Sequence, residues 1–119
     1  MFDRFPDLQV IVGHWGELAL FYLDRIDSMN SLAKLARPIS DYFRTNVHLA
    51  PSGVFSQRYL RWAIEVAGVD RILFSSDYPF VFKPEGGARR FLEEAPLSDA
   101  DRRKIASENW KRLCAAIRG

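Results

Sequence analysis

The chain has a single cysteine, Cys114, in 119 residues. An internal disulfide and a cysteine-built zinc knuckle are therefore both excluded. Histidine is nearly as scarce: only His14 and His48 occur, with no His-x-His pair. Long apolar runs are missing too, since a stretch such as Leu18 to Leu23 is far too short to span a bilayer. Charge of one sign is absent as well. The 17 Lys and Arg stand against 15 Asp and Glu, a net +2, which gives no reason to expect nucleic acid or an anionic membrane as partner. The opening Met1-Phe2-Asp3-Arg4-Phe5-Pro6-Asp7 puts acids where a secretory signal needs bases followed by an apolar stretch, so the expected compartment is the cytoplasm.

What is present is an ordinary globular composition, 48% hydrophobic and 27% charged, in a length that allows one modest domain over residues 1–119. The seven Gly and six Pro punctuate the chain without forming a linker, and there is no repeat. Strand-like and helix-like segments alternate. Leu8 to Gly13 is a β-branched run opened by Pro6-Asp7, and Phe43 to Leu49 alternates strictly. A third strand is expected over Arg71 to Ser76. Between them, Leu18, Phe21, Tyr22, Ile26 and Met29 recur at helical spacing, as do Phe55, Tyr59, Trp62, Ala63 and Val66. Gly68 is placed to stop the second helix, and Ser98 to Asp101 resembles a capping box that launches Arg102 to Ile117.

The strands near 8–13, 43–49 and 71–76 start roughly 30 residues apart, the length of successive βαβ units with right-handed crossovers. The fold class expected is thus α/β with parallel strands. Parallel strands need cover on both faces, and crossovers of one hand cover only one. The chain therefore looks like part of a larger sheet or barrel. His14 follows the first strand directly and Asp77 follows the third, so both fall on the carboxyl-end rim where α/β proteins place their sites. Such a pair is able to share a metal or a proton, although turn chemistry also favours Asp and Gly at these places.

Val12-Gly13-His14-Trp15-Gly16-Glu17, followed by Arg71-Ile72-Leu73-Phe74-Ser75-Ser76-Asp77-Tyr78-Pro79-Phe80, resembles the amidohydrolase-related family. These are metal-dependent (β/α)₈ enzymes that include the aromatic acid and aminocarboxymuconate semialdehyde decarboxylases. Phe5-Pro6-Asp7-Leu8, Pro51-Ser52-Gly53 and Asn109 extend the match over nearly the whole chain. The resemblance implies strands six, seven and eight of a TIM barrel, with the amino-terminal part of the barrel absent. It implies that His14 acts in catalysis and that Asp77 is both a metal ligand and a catalytic group. Glu17 is then placed to orient the His14 imidazole, or simply favours a helix start. The cofactor implied is one divalent ion, zinc or manganese. The other ligands the resemblance implies, an acid- or His-x-His pair on the barrel's first strand and a His on a middle strand, are not in this sequence, so stoichiometric binding by this chain alone is not expected.

Other residues carry weaker signals. His48 shares a strand face with Arg44 and Asn46, which makes it a possible pocket residue or a satisfied structural histidine. Asn109, in line with Ile105 and Leu113, is expected to tie the last helix to the barrel. Trp15, Trp62 and Trp110 read as core, Arg102 and its neighbours as a solvated helix face, Cys114 as a small core residue, and Ser52 as part of a Ser-Gly turn.

The activity the resemblance implies is non-oxidative decarboxylation of a small, aromatic carboxylic acid. Hydrolysis of a lactone or amide is the alternative within the family. A non-catalytic remnant, or a subunit that completes a partner barrel, is the alternative outside it. The expected partners are the small-molecule acid and either further copies of the chain or the missing barrel part, with no nucleic acid and no membrane.

Overall fold

The computed structural model describes residues 1–82 and 84–118. Two short parallel strands form its sheet, β1 (Val10–Val12) and β2 (Val47–Leu49), in the register Val10 with Val47 and Val12 with Leu49. A single parallel bridge from Leu49 to Ile72 adds the third strand position. The order is sequential and parallel, as the segment spacing requires. Helices follow: α1 (Leu23–Asp27), α2 (Asn30–Ala33), α3 (Ile39–Thr45), α4 (Gln57–Ala67), α5 (Gly87–Glu93), α6 (Asp99–Arg103) and α7 (Asn109–Arg118).

The strands are shorter than the sequence pattern suggests. Phe43, Arg44 and Thr45 belong to α3, not to a strand. Their apparent alternation is also a helical pattern: Ile39 and Phe43 are four apart, Asp41 lies in the first turn and Arg44 in the last. The Thr45 hydroxyl donates back to the Asp41 carbonyl at 2.9 Å, a bond that only helical backbone offers. The third strand is one bridge because its neighbour turns away. Beyond Leu49 the Ala50 carbonyl is taken by the Trp15 amide at 2.9 Å, and Pro51 has no N–H to offer.

Leu49, Leu60 and Ile72 are fully buried and define the centre of the core, with Trp15, Val47, Ala63, Phe91 and Ile105 around them. Helix α4 begins at Ser56, whose hydroxyl accepts the Tyr59 amide, and ends at Gly68, whose φ of 88° suits glycine. Its buried stripe is Leu60, Ala63 and Ala67, one step round from the stripe the aromatic residues suggest; Tyr59 and Trp62 lie on its flank. The last helix is not continuous. Residues Lys104–Glu108 form a π turn, and this extra residue keeps both Ile105 and Asn109 buried. The Asn109 amide donates to the Val69 and Ile72 carbonyls, each at 2.8 Å, so it does tie this helix to the third strand.

Asn46 performs the same task at the start of β2. Its amide donates to the Pro6 and Leu8 carbonyls at 2.7 and 2.8 Å, and its oxygen accepts from Arg37. Arg102 is more than a solvated residue: its guanidinium donates to the carbonyls of Leu92, Glu93 and Leu97 and clamps the α5–α6 connection. Trp110 is exposed, against the core role expected of it. Not all helical cover is on one face, because Leu113 of α7 packs with Ala50 and Leu73 in a second small cluster. Leu73 follows the core residue Ile72 and so points to the opposite face. That face stays open beside the first strand, where Ile11 is 48% exposed.

Candidate active site

The chain leaves β1 through Gly13 into a tight turn, His14–Gly16. Trp15 anchors that turn. Its indole is buried, packs edge-on against Phe91 at 6.2 Å, and donates from Nε1 to the Val54 carbonyl at 2.7 Å. With Trp15 turned inward, His14 is left on the outside of the rim. A side chain at Gly13 would put its Cβ 2.7 Å from the Ser52 hydroxyl, so glycine lets the first two rim loops touch. Ser52 in turn meets the third loop: its amide donates to Ser75 Oγ, and the two hydroxyls are 3.1 Å apart. Two residues later the chain reaches Asp77, whose turn is closed by the Val81 amide donating to the Asp77 carbonyl at 3.0 Å.

This lacing brings together the two residues that the sequence separates by about sixty positions. His14 Nε2 lies 3.6 Å from Asp77 Oδ2, and His14 Nδ1 lies 3.1 Å from Glu17 Oε1. The imidazole therefore sits between two carboxylates on one rim. The backbone is unusual in the same place. His14, Trp15, Glu17, Ser52 and Asp77 all hold positive φ between 43° and 61°, a region that non-glycine residues rarely occupy. Strain of this kind, gathered at one edge, marks places where position matters more than stability.

Beside His14 is a cavity of about 250 Å³ walled by Trp15, Phe21, Val54, Tyr59 and Trp62. By sequence pattern these aromatics belong to the core or to helix stripes. Only Trp15 is fully core, while Phe21 and Tyr59 are substantially exposed. Their signal was a surplus of large rings on α4 and after His14, more than one apolar stripe uses.

His48 is not part of this rim. It is buried at mid-strand, with its ring near Arg71. Burial, with Arg71 and Arg112 nearby, pushes its pKa down to about 4. Arg44, assigned to the same strand face, is instead on α3.

Comparison with known proteins shows the family. The family model described as amidohydrolase matches residues 1–113. The chain belongs to the amidohydrolase family. Among curated relatives, the gamma-resorcylate decarboxylase of Polaromonas sp. is 40% identical over 95% of this chain and 36% of its own length. Among solved structures, the 5-carboxyvanillate decarboxylase of Sphingomonas paucimobilis superposes with a TM-score of 0.85 and 36% identity, over 94% of this chain and 35% of that one. The dihydroxybenzoic acid decarboxylase of Polaromonas sp., solved with manganese and the inhibitor 2-nitroresorcinol, gives a TM-score of 0.82 and 39% identity, over 99% of this chain and 37% of that one. The chain thus spans a little over a third of the length of such family members, and its parallel α/β architecture matches part of their barrels.

Among the described residues, no group of three or more His, Cys, Asp or Glu side chains is arranged to hold a metal. Asp77 and His14 with Glu17 do not by themselves make a metal centre. No helix among the described residues is long and apolar enough to cross a membrane.

Proposed function

We propose that this chain forms strands six to eight of a (β/α)₈ barrel whose reaction is the non-oxidative decarboxylation of a small aromatic carboxylic acid. The observation that carries this reading is the 3.6 Å approach of His14 Nε2 to Asp77 Oδ2 on the rim, in a chain whose relatives are aromatic acid decarboxylases. In such a reaction a proton is added to the ring carbon that bears the carboxylate. The carbon–carbon bond then breaks, its electron pair restores the ring, and carbon dioxide leaves. The protein's task is to hold that proton and release it at one place.

His14 and Asp77 suit this task. Glu17 Oε1 is placed to accept the proton on His14 Nδ1, which leaves Nε2 to exchange a proton with Asp77 Oδ2 on one side and with substrate on the other. The aromatic walls beside His14 offer flat apolar surface to a ring. A divalent ion, manganese or zinc, belongs to this reading with Asp77 as one ligand, and its other ligands are not among the described residues. A cytoplasmic location goes with the single free Cys114. The open face carrying Ile11 is the side on which the rest of a barrel, or a further copy of the chain, would pack.

The test is reconstitution. The chain is combined with a polypeptide supplying strands one to five of a gamma-resorcylate decarboxylase, and carbon dioxide release from 2,6-dihydroxybenzoate is followed. Turnover that is lost in Asp77→Asn and His14→Ala supports the proposal. Stable assembly with bound manganese but no release of carbon dioxide from any dihydroxybenzoate overturns it.

A further inference from the structure

Among the described residues, no main-chain hydrogen bond joins the His14 turn to the Asp77 turn; both are fastened to the loop between them, residues 50–54. On the His14 side, the Trp15 amide donates to the Ala50 carbonyl at 2.9 Å, and the Trp15 indole donates to the Val54 carbonyl at 2.7 Å. These two bonds grip the loop on either side of Ser52. On the Asp77 side the polar link is Ser75, two residues before Asp77. Its Oγ accepts the Ser52 amide at 3.1 Å and shares a proton with Ser52 Oγ at the same distance. Gly53 forms the apolar half of that junction. A Cβ there would lie 2.8 Å from Val81 Cβ, and the Val81 amide closes the Asp77 turn.

The His14–Asp77 pair does not set its own spacing. An approach of 3.6 Å is too long for a hydrogen bond, and both side chains are partly open to solvent. The loop that joins them has no acid, base or thiol of its own. It does hold Ser52 at a φ of 43°, a conformation that persists only where the surroundings fix it. The amide and the hydroxyl of Ser52 both bond to Ser75.

We infer that the Ser75 hydroxyl is a positioning group: it locks the middle loop against the Asp77 segment and so sets the distance from His14 to Asp77. Ser75 acts through Ser52 and Asp77 and need not touch substrate. Its effect on rate rests on the proposed decarboxylation; its effect on spacing does not. A misplacement of about 1 Å at reacting groups is enough to lower a rate by as much as about 10²-fold.

The spacing is read in the chain alone, well below its unfolding midpoint, by the nuclear Overhauser contact between the His14 ring protons and the Asp77 β-protons. His14→Gln tells the two histidines apart. Such a contact falls steeply with distance, so Ser75→Ala should weaken it about twofold or more for a shift of about 1 Å. Ser75→Thr keeps the hydroxyl and should hold the contact at the parent's level, whereas Ser75→Val, of the same shape without the hydroxyl, should not. A residue that only added stability would leave the contact unchanged in the folded variants. In the reconstituted barrel, Ser75→Ala should lower kcat about tenfold or more with KM within about twofold, and Ser75→Thr should restore it. If Ser75→Ala does not fold, Ser52→Ala decides, because it removes one hydroxyl and keeps the amide bond; a weakened contact is expected there too. An unchanged contact, a loss that Ser75→Thr does not reverse, or an unchanged kcat in an active barrel overturns the positioning role. A weakened contact in Ser75→Ala, beside a parent barrel that releases no carbon dioxide, supports the positioning role and overturns the proposed reaction instead.

Discussion

The two ends of the short parallel sheet are held in different ways. At the amino-terminal end, Asn46 and Asn109 are buried, and their amides close gaps between elements by donating to main-chain carbonyls on either side. At the carboxyl end, His14, Ser52 and Asp77 sit in left-handed backbone, partly open to solvent, and are laced by two hydroxyls and a close approach at Gly13. One end spends its polar groups on stability. The other keeps polar groups in strained positions where they face each other instead of the core. In the proposed reaction the chemistry belongs to the second kind of end.

The sharpest way to break this comparison is to remove one group from each end and ask what is lost. In the reconstituted barrel, His14→Ala should lower kcat by about 10²- to 10⁴-fold, the usual worth of a positioned acid–base group. Its thermal midpoint should stay close to the parent's, as expected for an exposed side chain. Calorimetry and steady-state rates on the same sample check both halves. A large loss of stability with a proportionate loss of rate would show that His14 is structural.

Asn109→Ala is the opposite case. It leaves the Val69 and Ile72 carbonyls without their donor inside the core, so urea unfolding should show a loss of about 3 kcal/mol. A loss below about 1 kcal/mol would mean that water replaces the amide there.

Acid should act on the buried end through His48. Its pKa of about 4 in the folded chain lies below the ordinary value of 6.5, so the unfolded chain binds the proton first as pH falls. Stability is therefore fully present above pH 6.5 and declines toward pH 4, by on the order of 2 kcal/mol. His48→Gln should flatten this part of the pH–stability profile, and a profile unchanged by that variant would assign the decline to other groups.

The smallest effect on stability is expected at the rim. Asp77→Gly removes a non-glycine residue from φ of 61° and should raise stability by up to about 1 kcal/mol while abolishing turnover in the assembled barrel. If the variant is destabilised instead, the rim turn depends on the Asp77 carboxylate for its own folding.

How much of this was legible in the residues differs by level. The parallel order followed from the spacing of apolar runs, and the shared rim of His14 and Asp77 followed from both standing just past a strand. The capping role of Ser98 was also readable, because its hydroxyl accepts the Asp101 amide three residues on, a local geometry. The extent of the strands was not. Phe43 to Thr45 satisfies a two-residue and a four-residue period at once, and only the packing of Ile39 and Phe43 against the core selects the helix. The true stripe of α4 was hidden for a similar reason. Tyr59 and Trp62 are apolar enough to join a core, but in the structure they wall the cavity beside His14.

The sequence by itself determined the class of fold, the rim residues and the family, because strand–helix alternation and short motifs are local and survive without knowledge of contacts. The tertiary structure decided distances and partners. That His14 meets Asp77 at 3.6 Å, that Arg71 rests against His48, and that Asn109 reaches two carbonyls across the chain all depend on long-range closure. Such contacts join residues far apart in sequence, and no local period or propensity encodes where the chain brings them together.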